Sequence, residues 1–250
     1  MTVRANLDII RYGFSTQIYV TGGTGPYTYT VLASGAGGSI SVAGLYLAPT
    51  IPNGNTRDTI RATDSLGAIQ NYVINVLTPL EMICSIIQSG LALSIGQVMI
   101  YNQKWNIPTD QRLYVTVEIL SCKPFGNNNK SVYTNGDLTQ VQSTNFLNTL
   151  QIDVWSRSTL ALNRKEEVLM SLRSNYAQRL MDAFSFYIAP VSTSFTNLSN
   201  IDGAAIPYRF SISVNLQYAV ELIGTVDIFD SVLGEIYTDP ESDNEPIVFT

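Results

Sequence analysis

The sequence predicts two domains, an all-β sandwich over residues 1–78 and an α+β two-layer domain over residues 79–224, followed by an acidic arm at residues 225–250. Three observations support this division. Short β-favouring runs recur between turn signals as far as Leu77. Apolar residues spaced by three and four first appear after Pro79. The excess of acidic residues is confined to the last segment.

The first domain is predicted from strands that alternate with glycine, proline and asparagine turns. QIYVTGG ends in a glycine pair, PYTYTVL alternates across two faces, and GGSISVAGLYLAP closes on a proline, which stops a strand ladder. Asn53-Gly54 and Ser65-Leu66-Gly67 mark two further turns. This spacing fits six or seven strands and favours an antiparallel sandwich over a barrel.

Three motifs in order resemble the immunoglobulin-like domains of bacterial and phage proteins: GGTGPYTYTV at 22 to 31, GLYLAP at 44 to 49 and DTIRATDSLGA at 58 to 68. The resemblance implies a module of the kind repeated in surface adhesins or appended to virion proteins, which acts as a spacer, a decoration or an adhesive unit. Asp58 and Asp64 are candidate calcium ligands, but single carboxylates at strand ends more commonly cap turns. We therefore assign no metal ligand.

The second domain is predicted to start with a helix and to continue with three alternating strands. In LEMICSIIQSGLALSIG the apolar residues recur at helical spacing, with Pro79 in the first turn. QVMIYNQKW is a short extended piece. RLYVTVEIL, TLQIDVW and YRFSISVNLQYAVEL place apolar residues on one face and mainly uncharged polar residues on the other. The residues assigned to the apolar face are Leu113, Val115, Val117, Ile119, Leu150, Ile152, Val154, Phe210, Ile212, Val214, Leu216 and Tyr218.

Two helices are expected to cover the apolar face of this antiparallel or mixed sheet, the second running from about residue 159 to residue 187 until Pro190 stops it. The opposite, polar face is either open to water or applied to another subunit, and open water is the commoner case. Residues 121–148 are too long and too polar for an ordinary turn. They are either a functional loop or a projecting hairpin.

The charge is distributed unevenly along the chain. Residues 1–78 carry four basic and three acidic side chains, residues 79–224 carry ten of each, and residues 225–250 carry seven acidic side chains and no basic one. A basic face for nucleic acid is not indicated. The acidic segment is either a disordered solubilising tail or an arm that docks on a neighbouring subunit, because it also contains apolar residues such as Phe229, Leu233 and Phe249.

The order RLYVTVEIL, NTLQIDVWSRS, EEVLMSLRSNYAQRLM and YRFSISVNLQYAVEL resembles the neck and tail terminator proteins of tailed bacteriophages over residues 80–224. The resemblance implies a homo-oligomeric ring, typically a hexamer, that caps the tail tube and joins it to the head connector or adaptor. It implies contact with tube and sheath proteins, and genomic DNA that passes through the ring without specific binding. The expected location is the neck of the virion, assembled in the host cytoplasm without a membrane.

Catalysis is not indicated by the residue types present. Histidine is absent, and no P-loop, GxSxG or CxxC motif occurs. Glu118, Asp153 and Glu221 can share a sheet face, but isolated acids on a polar face are usually solvated. We assign no catalytic, cofactor-binding or metal residue. Cys84 and Cys122 are interpreted as two buried free thiols of a soluble, cytoplasmically made protein, since no signal peptide or apolar span of eighteen residues is present.

The function predicted from these patterns is structural: a tail terminator or neck ring of a virion with the immunoglobulin-like domain displayed outward. The alternative is a carbohydrate-binding or adhesive surface protein that acts through its first domain. A ring of about six copies in solution favours the former, and a monomer with affinity for glycans favours the latter.

Overall fold

The computed structural model describes residues 1–32, 35–101, 108–134, 137–189, 194–199 and 208–226. For residues 132–134, 137–139 and 223–226 it describes the backbone alone. Pro190 therefore lies outside the described residues. The acidic arm at 225–250 also lies outside them, except for its first two residues. The chain divides into two compact units. We call the first, Met1–Lys123 with Phe146–Tyr218, the body, and the described part of the second, Pro124–Asn145 with Ala219–Thr250, the ribbon.

The first part of the body contains two four-stranded sheets with a common apolar core. Their orders are β1-β3-β6-β5 and β2-β8-β7-β4. Eight strands are present where six or seven were expected, and β2 runs parallel to β8, so the arrangement is not wholly antiparallel. The immunoglobulin-like topology stays a prediction. The strands are β1 (Thr2–Ala5), β2 (Ile9–Arg11), β3 (Ser15–Thr21), β4 (Thr28–Val31), β5 (Ser39–Ile40), β6 (Leu45–Leu47), β7 (Arg57–Thr63) and β8 (Ile69–Leu77).

A third, mixed sheet follows, with strand order β12-β14-β11-β10-β9 and with β13 paired to β14. The predicted pairing of RLYVTVEIL with TLQIDVW is confirmed, because β10 and β11 are neighbours. The assignment of Ile119 to the apolar face is wrong, because Ile119 is exposed. Tyr218 is partly buried, and the other residues assigned to this face are buried. The strands are β9 (Val98–Ile100), β10 (Tyr114–Thr134), β11 (Asp137–Ser156), β12 (Phe186–Ile188), β13 (Thr196–Asn197) and β14 (Tyr208–Val226).

Three helices occur among the described residues: α1 (Pro79–Gly90), α2 (Leu160–Leu172) and α3 (Asn175–Phe184). The predicted start of α1 is confirmed, and Thr78 and Glu81 form a capping box there. The prediction of a single helix over residues 159–187 is wrong. The helix is interrupted after Leu172, because the Ser174 side chain accepts a hydrogen bond from the Ala177 amide and starts α3.

One contiguous apolar cluster runs through the body, from the two sandwich sheets to the helices and the third sheet. Ile10 and Ile74 lie in its first part, whereas Ile83, Ile152 and Leu180 lie in its second. Both predicted domains therefore contribute to one compact unit. The predicted boundaries after residues 78 and 224 stay predictions. No described helix is long and apolar enough to cross a membrane.

Candidate assembly surfaces

A buried arginine connects the first strands of the chain to the end of α3. Arg11 is 8% exposed, and its Nη1 donates hydrogen bonds to the carbonyl oxygens of Phe184 at 2.9 Å and Ser185 at 3.3 Å. Its guanidinium also lies 5.3 Å from the centre of the Phe14 ring. A cation at a helix C-terminus is favourable because the terminal carbonyls carry partial negative charge. Arg11 therefore holds the β2 strand and α3 together within the body.

The polar face of the third sheet is partly closed, which corrects the expectation that it is open to water. The rings of Tyr114 and Trp155 stack with centres 4.8 Å apart, and both side chains are buried. Beside them, Asp153 is 6% exposed and accepts a hydrogen bond from Nη2 of Arg209 at 2.8 Å. Gln151 also donates to Asp153. Tyr114 and Trp155, with Met99 packed against them, form a second, small core on this face.

The three acids considered as candidates on that sheet face differ in environment. Asp153 is paired and buried, so the interpretation that it is solvated is wrong for this residue. Glu221 is exposed and Glu118 is partly exposed. Asp153 is held by the Arg209 guanidinium and the Gln151 amide, which is a structural arrangement.

The interpretation of Asp58 and Asp64 as turn caps is confirmed by their hydrogen bonds. Asp58 is 1% exposed and accepts from the Gly37 and Gly38 amides and from the Tyr46 hydroxyl. Asp64 accepts from the amides of residues 24, 66 and 68. Hydrogen bonds from the backbone lower the pKa of Asp64. Burial, then the hydrogen bond to Asp58, raises the pKa of Tyr46.

The two cysteines are free thiols in different surroundings. Cys84 lies in α1 and is partly buried, and desolvation raises the pKa of its thiol to about 12. Cys122 lies within β10 and is exposed, so the expectation that both thiols are buried is wrong for Cys122. An exposed position arises because β10 continues beyond the region where the helices cover the sheet.

A shallow cavity of about 320 Å³ lies at the C-terminal end of α1. Its lining includes Leu93, Arg112 and Arg164. The Arg164 guanidinium donates to the Leu91 carbonyl and to Glu167. The hydrogen bond to Glu167 raises the pKa of Arg164. The hydrogen bond to Leu91 caps the end of α1, so the role of Arg164 that the structure supports is structural.

Residues 121–148, expected to be a functional loop or a hairpin, form a hairpin of β10 and β11. Its register is indicated by Thr144, whose hydroxyl donates to the Asn127 side-chain oxygen at 3.2 Å. Every residue from 122 to 131 is exposed, so both faces of β10 are accessible there. Among the described side chains of the ribbon, none is buried. The hairpin is therefore a large accessible surface with exposed backbone and mainly uncharged side chains.

The comparisons with known proteins bear on the third sheet and its helices. The family model of the phage neck terminator protein matches residues 68–241, which is more than half of the chain. The chain belongs to the phage neck terminator family. The resemblance inferred from the order of elements is thereby confirmed. The matched residues include β8, all three helices and the described parts of strands β9 to β14.

A solved structure is also similar, with 16% sequence identity and a TM-score of 0.36. It is the sheath/tube terminator of an extracellular contractile injection system, PVC, in its extended state. The similarity covers 63% of this chain and 62% of that chain, so this chain spans less than two thirds of its length. At this TM-score the likeness carries no argument about function. No curated protein matches this chain.

Sequence reasoning missed two features of these surfaces. The buried position of Arg11 has a weak signal, since the DIIRYGF segment sets one arginine among apolar residues. The second small core has a clearer signal in the sequence, because Tyr114 and Trp155 are large aromatic residues at positions assigned to a polar face. Aromatic residues bury large areas, and their position predicts a covered face.

Proposed function

We propose that the chain is the structural subunit of a ring that caps the tail tube and joins it to the head connector of a phage. The family match over residues 68–241 carries this proposal. A structural role accords with the acidic residues of the described surfaces. Asp153 forms an ion pair, Asp64 caps a turn and Glu221 is exposed. The proposed partners are further copies of the chain in a hexamer, the tube and sheath proteins, and the connector.

Charge supports the proposed passage of genomic DNA through the ring. Each phosphate neutralised by a basic side chain adds salt-dependent affinity, which slows a moving duplex. Residues 79–224 carry ten basic and ten acidic side chains, so this part of the chain is neutral. A neutral ring lets DNA pass without gripping it.

The immunoglobulin-like character and outward display of the first domain also belong to this proposal. Residues 1–67, which include β1 to β7, lie outside the family match. A segment that the family model does not require suits an added decoration. Its position can be tested by fusing a small compact protein to Met1, which we expect to leave ring formation unchanged and to add density at the outer rim.

The test of the ring is the mass of the purified protein by native mass spectrometry, together with images of the particles. We expect closed rings of about six copies. A second sample without residues 225–250 tests the proposed docking arm, and we expect smaller or less stable rings. A truncated chain whose rings keep the size and stability of the full chain would show that the arm makes no contact between copies.

The capping role needs a separate measurement with tail tubes. Tubes assembled from their own subunit are incubated with the purified chain and imaged. We expect added density at one end of each tube and an arrest of tube growth. Rings that form but leave the tube ends bare and growing would contradict the terminator role.

A further inference from the structure

The ribbon lacks a core of its own. Its described side chains comprise 124–131 of β10, 140–145 of β11 and 219–222 of β14, and all are exposed or partly exposed. Three strands are stable in water when one face is apolar and buried or when a further element packs on them. The chain offers neither among the described side chains of the ribbon. The described side chains of the ribbon are therefore available for contact with another subunit.

The order β14-β11-β10 leaves two outer strands in the ribbon. The pairings of β10 with β9 and of β14 with β12 and β13 involve only residues 115–117, 216–218 and 210–211. Within the described residues, no further strand pairs with the ribbon parts of β10 or β14. An outer strand of this kind presents a row of backbone donors and acceptors to another chain.

The two outer strands run in the same direction. β10 and β11 form a hairpin and are therefore antiparallel. β11 and β14 are antiparallel as well, since Asp153 contacts Arg209 whereas Phe146 stacks on Tyr218. A rotation that carries one copy onto the next can therefore place β14 of one copy parallel to β10 of its neighbour. Repeated head-to-tail contacts of this type close into a ring.

The charges on the two outer strands are complementary. Lys130 on β10 and Glu221 on β14 are both exposed. The Asn127–Thr144 hydrogen bond sets Asn128 opposite Ser143, and the Phe146–Tyr218 contact sets Ser143 opposite Glu221. Lys130 is two residues from Asn128, so it lies on the same face as Glu221, about 7 Å further along the strand. Opposite charges on adjacent strands favour their pairing.

We infer that β14 of one copy pairs in parallel with β10 of the next copy, so that the ribbons join into a sheet that is continuous between subunits. This inference rests on the proposed ring and names the contact that closes it. The exposed Val220 and Leu222 of β14, and Phe125 of β10, supply apolar area to the contact. Pairing of this kind covers part of the area that the described ribbon side chains leave exposed.

Cysteine cross-linking tests this contact. Asn128→Cys or Lys130→Cys is combined with Glu221→Cys, and the two combinations sample two registers. Within one chain β11 separates these positions, so their backbones lie two strand spacings apart, about 9–10 Å. A disulfide requires Cα atoms within about 7 Å, so a bond can form only between copies. Cys122→Ser removes the exposed native thiol, and the Cys84 thiol stays protonated because burial raises its pKa.

We expect mild oxidation to convert the ring of at least one double variant into covalent multimers. The matched control combines Arg179→Cys, exposed on α3, with Glu221→Cys and is expected to stay unlinked. Charge exchange is the second measurement: Lys130→Glu and Glu221→Lys each weaken the ring, and the double exchange restores it. Intact rings without cross-links and without response to charge overturn the inference alone. A wild-type chain that stays monomeric overturns the proposed ring as well.

Discussion

The body and the ribbon share the strands β10, β11 and β14 but differ in what stabilises these strands. In the body, β10, β11 and β14 carry one apolar face under α1, α2 and α3, and most of its side chains are fully buried. In the ribbon the same strands continue with no buried side chain among those described. A strand extends for as long as its backbone is paired, but a fold is stable on its own only where apolar area is buried. The difference separates the part that has its own buried core from the part through which we propose that copies assemble.

The largest effect is expected from a pair of leucines on β14. Leu216 is 0% exposed in the body, whereas Leu222 is 66% exposed in the ribbon. Leu216→Ala leaves a cavity in the core and is expected to lower the free energy of unfolding by about 2–5 kcal/mol. Leu222→Ala is expected to change it by less than about 0.5 kcal/mol. Urea unfolding of the dissociated subunit measures both, and equal losses would contradict the distinction between the two regions.

Arg11 tests whether the body is one unit. Arg11→Ala removes the donor to the Phe184 and Ser185 carbonyls, and the hydrogen bond to Phe184 is buried. We expect a loss of about 2–3 kcal/mol in the free energy of unfolding. The matched control is Arg61→Ala, because Arg61 lies on β7 with only a long contact to Asn71. If Arg11→Ala is as stable as this control, the junction with α3 contributes nothing.

Gly90 tests the packing of α1 on α2. A Cβ at this position would overlap the side chain of Ser171. We expect Gly90→Ala to lower the free energy of unfolding by about 1–3 kcal/mol, since the helices must move apart. The double variant with Ser171→Gly removes the overlap and is expected to recover most of the loss. Thermal unfolding of the single and double variants checks this, and additive losses would contradict the overlap.

The smallest effect concerns the Asp64 cap. Backbone hydrogen bonds lower its pKa in the folded state, so its contribution to stability is present above the unfolded pKa of about 3.9 and is lost as the pH falls through the folded value. Asp64→Asn is expected to be less stable than the wild type at neutral pH and to depend less on pH in the acid range. Unfolding curves from about pH 2 to about pH 7, a range that extends below and above the unfolded pKa, measure this. If the free energy of unfolding of the wild type and of Asp64→Asn changes with pH in the same way, the titration of Asp64 does not contribute to stability.

The sequence predicted what periodicity encodes and missed what depends on distant contacts. Alternation in RLYVTVEIL, TLQIDVW and YRFSISVNLQYAVEL gave the strands of the third sheet, because burial on one face imposes a period of two. The break between α2 and α3 was missed, since the apolar stripe continues through it and only the Ser174 cap interrupts the backbone. Arg11 and Asp153 were not recognised as buried, because their partners lie far away in sequence, at Phe184 and Arg209.

The candidate surfaces were predicted from the sequence only in part. Length and polarity marked residues 121–148 as unusual, but they did not distinguish a loop from a hairpin. The pairing of β10 with β11 makes this segment a hairpin. Such pairing depends on the partner strand as much as on the residues of the segment itself. The acidic arm at 225–250 lies almost wholly outside the described residues, so its docking stays a prediction.

Hydrogen exchange of the ribbon tests the central claim most directly. Backbone amides of 124–131, 140–145 and 220–226 are followed in the assembled wild-type ring and in the Lys130→Glu variant, diluted until its weakened ring dissociates. We predict slow exchange of the ribbon in the ring and fast exchange in the dissociated subunit, with the buried strands of the body protected in both. Equal protection of the ribbon in ring and subunit would show that it is stable without a neighbour, and would contradict the account.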